Sequence, residues 1–207
     1  MRKLLISLIV LGGLLVGADF GLRAYSESVV SKELQHGLDL SDRPGVSISG
    51  FPFVVHLASG DFPEATVQAD SIRAHGVPFE NVKVTLHDVT FPSSRLITQG
   101  KGTVHAKRGS GTAALTATAM TAALRSQGVP VTVKFEDSKV VLSDGVTSAE
   151  ALPSVQGRGI SLRGPAGAVA LRLPVLLPGV TYTSLRVEEN KAGLSLRFTN
   201  VAFPVSG

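Results

Sequence analysis

The sequence contains no cysteine and no tryptophan among its 207 residues, and it has only nine phenylalanines and two tyrosines. Without cysteine the chain has no disulfide, no thiolate nucleophile and no cysteine-ligated metal. Charged residues make up only 17% of the chain, whereas 43% of the residues are hydrophobic. A chain of this length can form a domain with a substantial core, so its stability must come from packing.

The N-terminus has two basic residues followed by an uncharged apolar run. Arg2 and Lys3 precede Leu4–Ala18, which is fifteen residues long. A membrane-spanning helix needs about 20 apolar residues, so the run is typical of a signal peptide, with cleavage after Ala18. An uncleaved membrane anchor over residues 1–18 is the alternative. Both predict that residues 19–207 form a single exported domain on the extracytoplasmic side of the plasma membrane, anchored or secreted.

Acidic residues are missing from two long tracts. Residues 89–135 contain six basic residues and residues 151–187 contain four, with no acidic residue in either tract. In an exported protein such tracts favour an anionic partner, for example lipid headgroups at a membrane surface. A solvated basic face without a partner is the alternative. Nucleic acid is not expected, because the tracts lack interleaved aromatic side chains for stacking.

Most of the chain after residue 45 alternates between apolar and polar residues with period two, which predicts half-buried strands. Helices are predicted at residues 19–35 and 113–125, with a shorter helical turn at 53–59. The apolar stripe of the first helix is Leu22, Tyr25, Val29, Val30 and Leu34.

Four strands step by three residues across a polar pair instead of alternating by two. The pairs are Asp70-Ser71, His87-Asp88, Thr183-Ser184 and Thr199-Asn200. A β-bulge would absorb each extra residue, and bulges bend and twist a sheet. We therefore expect an α+β protein in which a strongly curved, bulged antiparallel sheet wraps around one or two helices.

No motif with catalytic or metal-binding spacing is present. The five histidines never occur at ligand spacing, so neither metal nor cofactor is expected. The Gly-rich segment GSGT at residues 109–112 lacks the lysine of a phosphate-binding loop and predicts a turn. Catalytic residues are therefore not assigned, although a serine hydrolase site assembled from distant parts of the chain stays open.

Phenylalanine precedes proline four times, and proline restricts the residue before it to extended geometry. Phe91-Pro92 and Phe203-Pro204 are interpreted as strand-closing corners, whereas Phe51 and Phe53 lie in an apolar segment that a hairpin would not need. Apolar residues in three such places are candidates for lining an elongated acyl-chain pocket. They are Phe51, Phe53, Val54, Leu57, Leu115, Met120, Leu124 and Leu176. The basic residues proposed to bind a lipid phosphate are Arg95, Lys101 and Arg125.

The basic and apolar N-terminus, the helix after Asp19, and the segment Ile48-Ser-Gly-Phe-Pro-Phe53 with Leu57 and Gly60 together resemble a known family. So do Val82-x-Val84-x-Leu86-x-x-Val89 and the closing Pro178-Gly179-Val180. The chain is similar to the LmeA-like phospholipid-binding proteins of the actinobacterial cell envelope. The resemblance implies a lipid-binding domain similar to tubular lipid-binding proteins. It transfers no catalytic residue.

Three functions follow from these observations. The first is a cell-envelope protein that binds, and in some cases carries, a phospholipid or other anionic lipid in an apolar tunnel. The second is an esterase or phospholipase that acts on the bound lipid. The third is a structural envelope protein with a filled core and no ligand.

Overall fold

A computed structural model describes residues 2–74, 76–91, 101–136, 139–156, 159–165, 167–173, 178–188 and 190–206. The helices are α1 (Arg2–Gly37), α2 (Phe53–Ser59) and α3 (Ala117–Ser126). The strands are β1 (Gly45–Ser49), β2 (Asp61–Ala74), β3 (Val77–Thr90), β4 (Lys101–Thr116), β5 (Thr132–Glu136), β6 (Lys139–Ser143), β7 (Ser148–Gln156), β8 (Gly159–Gly164), β9 (Gly167–Arg172), β10 (Val180–Val187) and β11 (Lys191–Ser206).

The strands form two antiparallel sheets instead of the single sheet that the sequence predicted. The first sheet has six strands in the order β1-β2-β3-β4-β11-β10, and the second has five in the order β5-β6-β7-β8-β9. The predicted class of a mainly antiparallel sheet with helices is therefore confirmed. Among the described residues neither sheet closes on itself, since β1 and β10 are the edges of the first sheet and β5 and β9 those of the second.

The predicted helices at residues 19–35 and 53–59 are confirmed as part of α1 and as α2. The prediction at 113–125 is wrong for its first four residues, because Ala113–Thr116 form the end of β4. There the backbone of β4 pairs with β11, with Ala113 opposite Leu194 and Thr116 opposite Lys191. The helix preference of alanine is weak per residue, and pairing with a neighbouring strand overrides it here. Helix α3 starts immediately afterwards, where the Thr116 hydroxyl accepts a hydrogen bond from the Ala119 amide at 3.2 Å.

The Phe-Pro pairs have different positions in the first sheet. Phe91 follows the last residue of β3, as predicted, and its amide donates to the Gly60 carbonyl at 2.6 Å. Phe203-Pro204 lies within β11 and does not end it, because that strand continues to Ser206 while paired with β4. The prediction of a strand-closing corner is therefore wrong there.

The three-residue steps are present in the burial pattern, but neighbouring strands share them. In β3, Leu86 and Val89 are buried while the two residues between them face outward. In β11, Phe198 and Val201 make the same step at the same level, on either side of β4. Because β4 also steps, from Gly109 to buried Ala106, the pairing of these three strands stays in register. Asp88 and Asn200 complete the step with left-handed φ values of 53° and 48°.

True register shifts occur at two positions of this sheet. One separates Tyr182 from Ser184 where β10 pairs with β11, as predicted. The other lies in β3 between Glu80 and Lys83, where it faces β4. The step at Asp70-Ser71 in β2 keeps its register with β3. A β-bulge has an extra residue that the partner strand does not match. The steps at His87-Asp88 in β3 and at Thr199-Asn200 in β11 are therefore not bulges, because β4 steps with both strands. The step in β2 is matched by β3 in the same way.

Two glycines predicted to form a turn lie in the middle of β4. A Cβ on Gly109 would lie 2.6 Å from the Thr85 carbonyl oxygen, and one on Gly111 would lie 2.9 Å from Cε2 of Phe198. The buried Phe198 ring therefore packs directly on the backbone of β4. Glycine is required at position 111 because any side chain there would displace the Phe198 ring.

One core cluster includes residues of both sheets and of α3. Helix α3 and Gln127, the residue after it, hydrogen-bond to the second sheet at three points, one of which is the bond from Arg125 to the Thr132 hydroxyl. The Thr121 hydroxyl accepts from the Val133 amide at 2.8 Å, and the Gln127 side chain pairs with the backbone N–H and carbonyl of Arg172 at 3.0 and 2.9 Å. These bonds fix α3 between the sheets. Among the described residues no helix is long and apolar enough to cross a membrane.

Replacement of Gly111 by alanine should destabilise the protein by about 1–3 kcal/mol, because the new methyl group overlaps the Phe198 ring. Gly193→Ala in β11 is the matched control, since its Cβ would meet nothing closer than the Arg186 carbonyl at 3.7 Å. Urea unfolding of both variants measures the difference. Equal unfolding free energies for the two variants would contradict the packing described for β4.

Burial raises the pKa of Tyr182 from its ordinary value of 10.0 to about 12. Above pH 10 the unfolded chain loses this proton while the folded chain keeps it, so the free energy of unfolding should fall as pH rises from about 10 to about 12. The loss reaches about 2–3 kcal/mol. Urea unfolding across this pH range tests the effect, and Tyr182→Phe should show a smaller fall. A parallel decline in both proteins would refute it.

Candidate functional site

Helix α2 has no capping side chain of its own, because the residue before it is Pro52. The buried Asp19 of α1 supplies the cap. Its carboxylate oxygens accept hydrogen bonds from the amides of Phe53 and Val54 at 2.8 and 2.9 Å. The first amides of a helix have no internal partner and a negative charge is favourable beside them. One carboxylate therefore joins α1 to α2.

The other end of α2 is fixed to the first sheet. Gly60 ends the helix in a left-handed conformation, with φ 79°, and its amide donates to the His56 carbonyl at 2.8 Å. The His56 ring nitrogen Nδ1 lies 2.7 Å from the Asp61 carbonyl oxygen at the start of β2. Both ends of this short helix are thus held by hydrogen bonds, which compensates for its lack of intrinsic stability.

Helix α2 directs large apolar side chains both inward and outward. Phe53 is only 1% exposed and its ring packs on Phe62 with a centroid distance of 5.6 Å. The opposite side, called here the outer α2 face, consists of Phe51, Val54 and Val55, which are 65%, 52% and 58% exposed. Two exposed valines on this short helix, together with Phe51 just before it, form an apolar surface of the kind that is typical of an interaction site.

Helix α1 contacts the edge strand β1 through a polar stripe with a four-residue spacing. Glu27 accepts a hydrogen bond from the Ile48 amide at 2.8 Å and pairs with Arg23 at 2.9 Å. One turn later the buried Ser31 hydroxyl donates to the Pro44 carbonyl at 2.6 Å. With Asp19, these residues occupy one face of the helix. The stripe covers an open sheet edge by binding its backbone groups.

The apolar stripe predicted for α1 is therefore wrong in part. Tyr25 and Val29 are exposed, whereas Leu22 packs against the core. The physical reason is that β1 presents backbone amides and carbonyls at its edge, and these groups need hydrogen-bonding partners when they are covered.

The inner face of the first sheet is covered unevenly. On the β11 and β10 side, Leu196 and Tyr182 are buried. In the same row on the other side, Val84, Val67 and Val46 are only half-buried. We call the half-open apolar surface of β1, β2 and β3 the inner strip. It consists of Val46, Ile48, Ala65, Val67 and Val84.

The predicted lining residues do not form one surface. Phe53, Leu115, Met120 and Leu124 are all at most 1% exposed and belong to the core, Leu57 is half-buried, and Phe51 and Val54 are on the outer α2 face. Leu176 lies outside the described residues. Two surface grooves of about 320 and 410 Å³ are present, and none of the predicted lining residues borders either. The tunnel stays a prediction.

Of the three predicted headgroup residues, Arg125 and Lys101 do not belong to the inner strip. Arg125 is exposed at the end of α3 and donates to the Thr132 hydroxyl at 3.1 Å. Lys101 is the first residue of β4, and Arg95 lies outside the described residues. Within the described ranges, no three acidic or histidine side chains are placed so that they could hold a metal ion.

Sequence reasoning missed the inner strip and the capping role of Asp19. The period-two pattern places the strip residues on one face of the sheet, but it does not indicate which half of that face stays uncovered. The only signal for the cap is Pro52 before a helical segment, since proline lacks a side chain that could accept the first amides.

These features define a β-rich protein with exposed apolar side chains around a short helix whose two ends are held by hydrogen bonds. The model of a known family, described as LmeA-like phospholipid-binding, matches residues 17–207. The chain therefore belongs to the LmeA-like phospholipid-binding family, and the resemblance seen in the sequence is confirmed. No curated protein and no solved structure matches the chain.

Replacement of Asp19 by alanine should release the first turn of α2, because two buried amides lose their acceptor. We expect a loss of about 1–3 kcal/mol in unfolding free energy and faster hydrogen exchange of the Phe53 and Val54 amides. Glu33→Ala, at an exposed position of α1, is the control and should change neither. Unchanged exchange in the Asp19 variant would show that the carboxylate does not hold α2.

Proposed function

We propose that the protein is an exported cell-envelope protein that binds a phospholipid, with the acyl chains lying along the inner strip. Membership of a phospholipid-binding family supports the class of ligand. The observation that carries the location is the uneven cover of the first sheet, which leaves Val46, Val67 and Val84 only partly buried beside buried residues of the same row.

The chemistry of the inner strip suits acyl chains. All five of its side chains are aliphatic, and neighbouring strands lie about 4.8 Å apart, so the strip and the adjacent glycines of β4 extend about 14 Å across the sheet. Burial of acyl chains supplies about 0.8 kcal/mol per CH₂ without any directional contact. Affinity can therefore come from area alone, while the headgroup stays near solvent.

The shape of the sheet and the compartment belong to the same proposal. The steps shared by β3, β4 and β11 support a sheet that curves around its inner face, as in tubular lipid-binding proteins. Export is proposed from the basic and apolar N-terminus. Cleavage after Ala18 would leave Asp19 as the first residue, so the mature chain would keep the cap of α2.

The headgroup is proposed to be anionic, because the two acid-free tracts make much of the chain basic. Arg125, a member of the predicted headgroup set, is exposed to solvent at the end of α3 but does not belong to the inner strip. Hydrolysis of the bound lipid remains the alternative function. His87 contacts the Glu64 carboxylate at 3.4 Å, and His56 contacts a backbone carbonyl. Among the described hydrogen bonds none joins a serine or threonine hydroxyl to either ring, and a hydrolase triad needs such a nucleophile.

Replacement of Val67 by aspartate should abolish phospholipid binding, because it places a charge in the middle of the inner strip. Gln68→Asp adds the same charge one residue along β2, on the opposite exposed face, and should leave binding unchanged. Native mass spectrometry of co-purified lipid and titration with a fluorescent phospholipid measure the effect. We expect at least a tenfold weaker affinity for the Val67 variant.

Thermal unfolding of both variants checks that they fold, and Val67→Thr, nearly the same shape, provides a milder second variant. The proposal is overturned if the folded Val67 variants bind phospholipid as the unaltered protein does. It is equally overturned if the unaltered protein neither carries nor binds phospholipid.

A further inference from the structure

Large apolar side chains are exposed around the point where α1 meets α2. On α1 these are Leu14, Leu15, Val16 and Phe20, which are 42–66% exposed. They precede or follow Asp19, whose carboxylate holds the first turn of α2. The outer α2 face therefore adjoins a second apolar surface, which belongs to α1.

This combined surface carries no exposed carboxylate, ammonium or guanidinium group. Asp19 is the only charged residue between residues 12 and 22, and it is buried and occupied by two amides. Residues 50–60 contain no aspartate, glutamate, lysine or arginine. Nothing in the surface would thus oppose its transfer from water into an apolar environment.

The distribution of apolar residues on α1 distinguishes between occupants. Leu14, Leu15 and Val16 are consecutive, so they point about 100° apart around the helix. A protein partner covers one side of a helix, whereas a helix that is apolar on all sides requires an apolar medium around it. In the sequence, these three residues belong to the uncharged run Leu4–Ala18.

We propose that the outer α2 face, together with Phe20, is a membrane-docking surface that inserts into the interfacial region of a lipid bilayer. Phe51, Val54 and Val55 enter the bilayer surface, and α1 meets the lipid beside them. Phe20 and the outer α2 face are retained whether or not the chain is cleaved after Ala18, whereas Leu14, Leu15 and Val16 belong to the surface only in the uncleaved chain. This surface is distinct from the inner strip, which binds the individual lipid.

The natural absence of cysteine permits a direct test on the full chain. Val54→Cys and Val55→Cys place an environment-sensitive fluorophore on the outer α2 face. Val146→Cys, in the turn before β7, and Leu152→Cys, in β7 of the second sheet, are matched controls. Both positions are apolar, and they are 92% and 72% exposed. Each labelled protein is mixed with vesicles of pure phosphatidylcholine.

We expect a blue shift and at least a tenfold protection from an aqueous quencher at positions 54 and 55, with neither effect at positions 146 and 152. Because the surface is uncharged, the effect should persist at high salt. Equal quenching at all four positions while the protein sediments with vesicles would overturn the proposal, since the N-terminal run alone would then contact lipid.

A concentration-dependent blue shift at positions 54 and 55 without vesicles would also overturn it, because the occupant would then be a second copy of the chain. The result is independent of ligand binding. Val67→Asp in the labelled background should lose the fluorescent phospholipid and still show vesicle protection, so a failure of the inner strip and a failure of docking give different results.

Discussion

The Asp19 carboxylate is the contact on which the arrangement of the apolar surfaces depends. It accepts hydrogen bonds from the first two amides of α2, at 2.8 and 2.9 Å, across a sequence separation of 34 and 35 residues. A helix of seven residues is too short to be stable alone, so its position is set by its ends. Because Gly60 and His56 hold the other end to β2, α2 becomes a rigid link between α1 and the first sheet.

The first sheet is subject to a second constraint, which is that its strands must keep register while they step. A three-residue step in one strand would turn every later side chain to the wrong face unless its neighbours step as well. At Asp88 and Asn200 the left-handed backbone makes this step in β3 and β11, and β4 between them steps with both. The same strand carries Gly109 and Gly111, so large side chains from both neighbours can pack on its backbone.

Much of the fold could be predicted because burial of one sheet face leaves a period-two pattern in any context. The three-residue spacing of Val54 and Leu57 identified α2 as a helix, although Val54 is exposed. The sequence pattern failed at Ala113–Thr116, where alanine and threonine fit a strand or a helix and pairing with β11 decides between them. It failed again at Tyr25 and Val29, because hydropathy gives no information about the backbone amides that α1 must bind at the edge of β1.

The candidate site was harder to predict for a related reason. Alternation assigns Val67 and Val84 to the inner face, but their half-exposure depends on which elements cover that face, and this is a property of the whole fold. Phe53 and Val54 show the same limit at closer range. They are neighbours in one apolar segment, and only the cap by Asp19 and the packing on Phe62 determine that one is in the core and the other in water.

The two surfaces proposed to contact lipid are close together along the chain, and this connection would give them a common role. Ile48, at the end of the inner strip, is separated from Phe51 of the outer α2 face by Ser49 and Gly50. Three residues of extended chain span at most about 10 Å. A bilayer in contact with Phe51 would therefore lie within about that distance of the strip. An acyl chain could move from the bilayer to the strip along apolar side chains with little exposure to water, which would otherwise cost about 0.8 kcal/mol per CH₂.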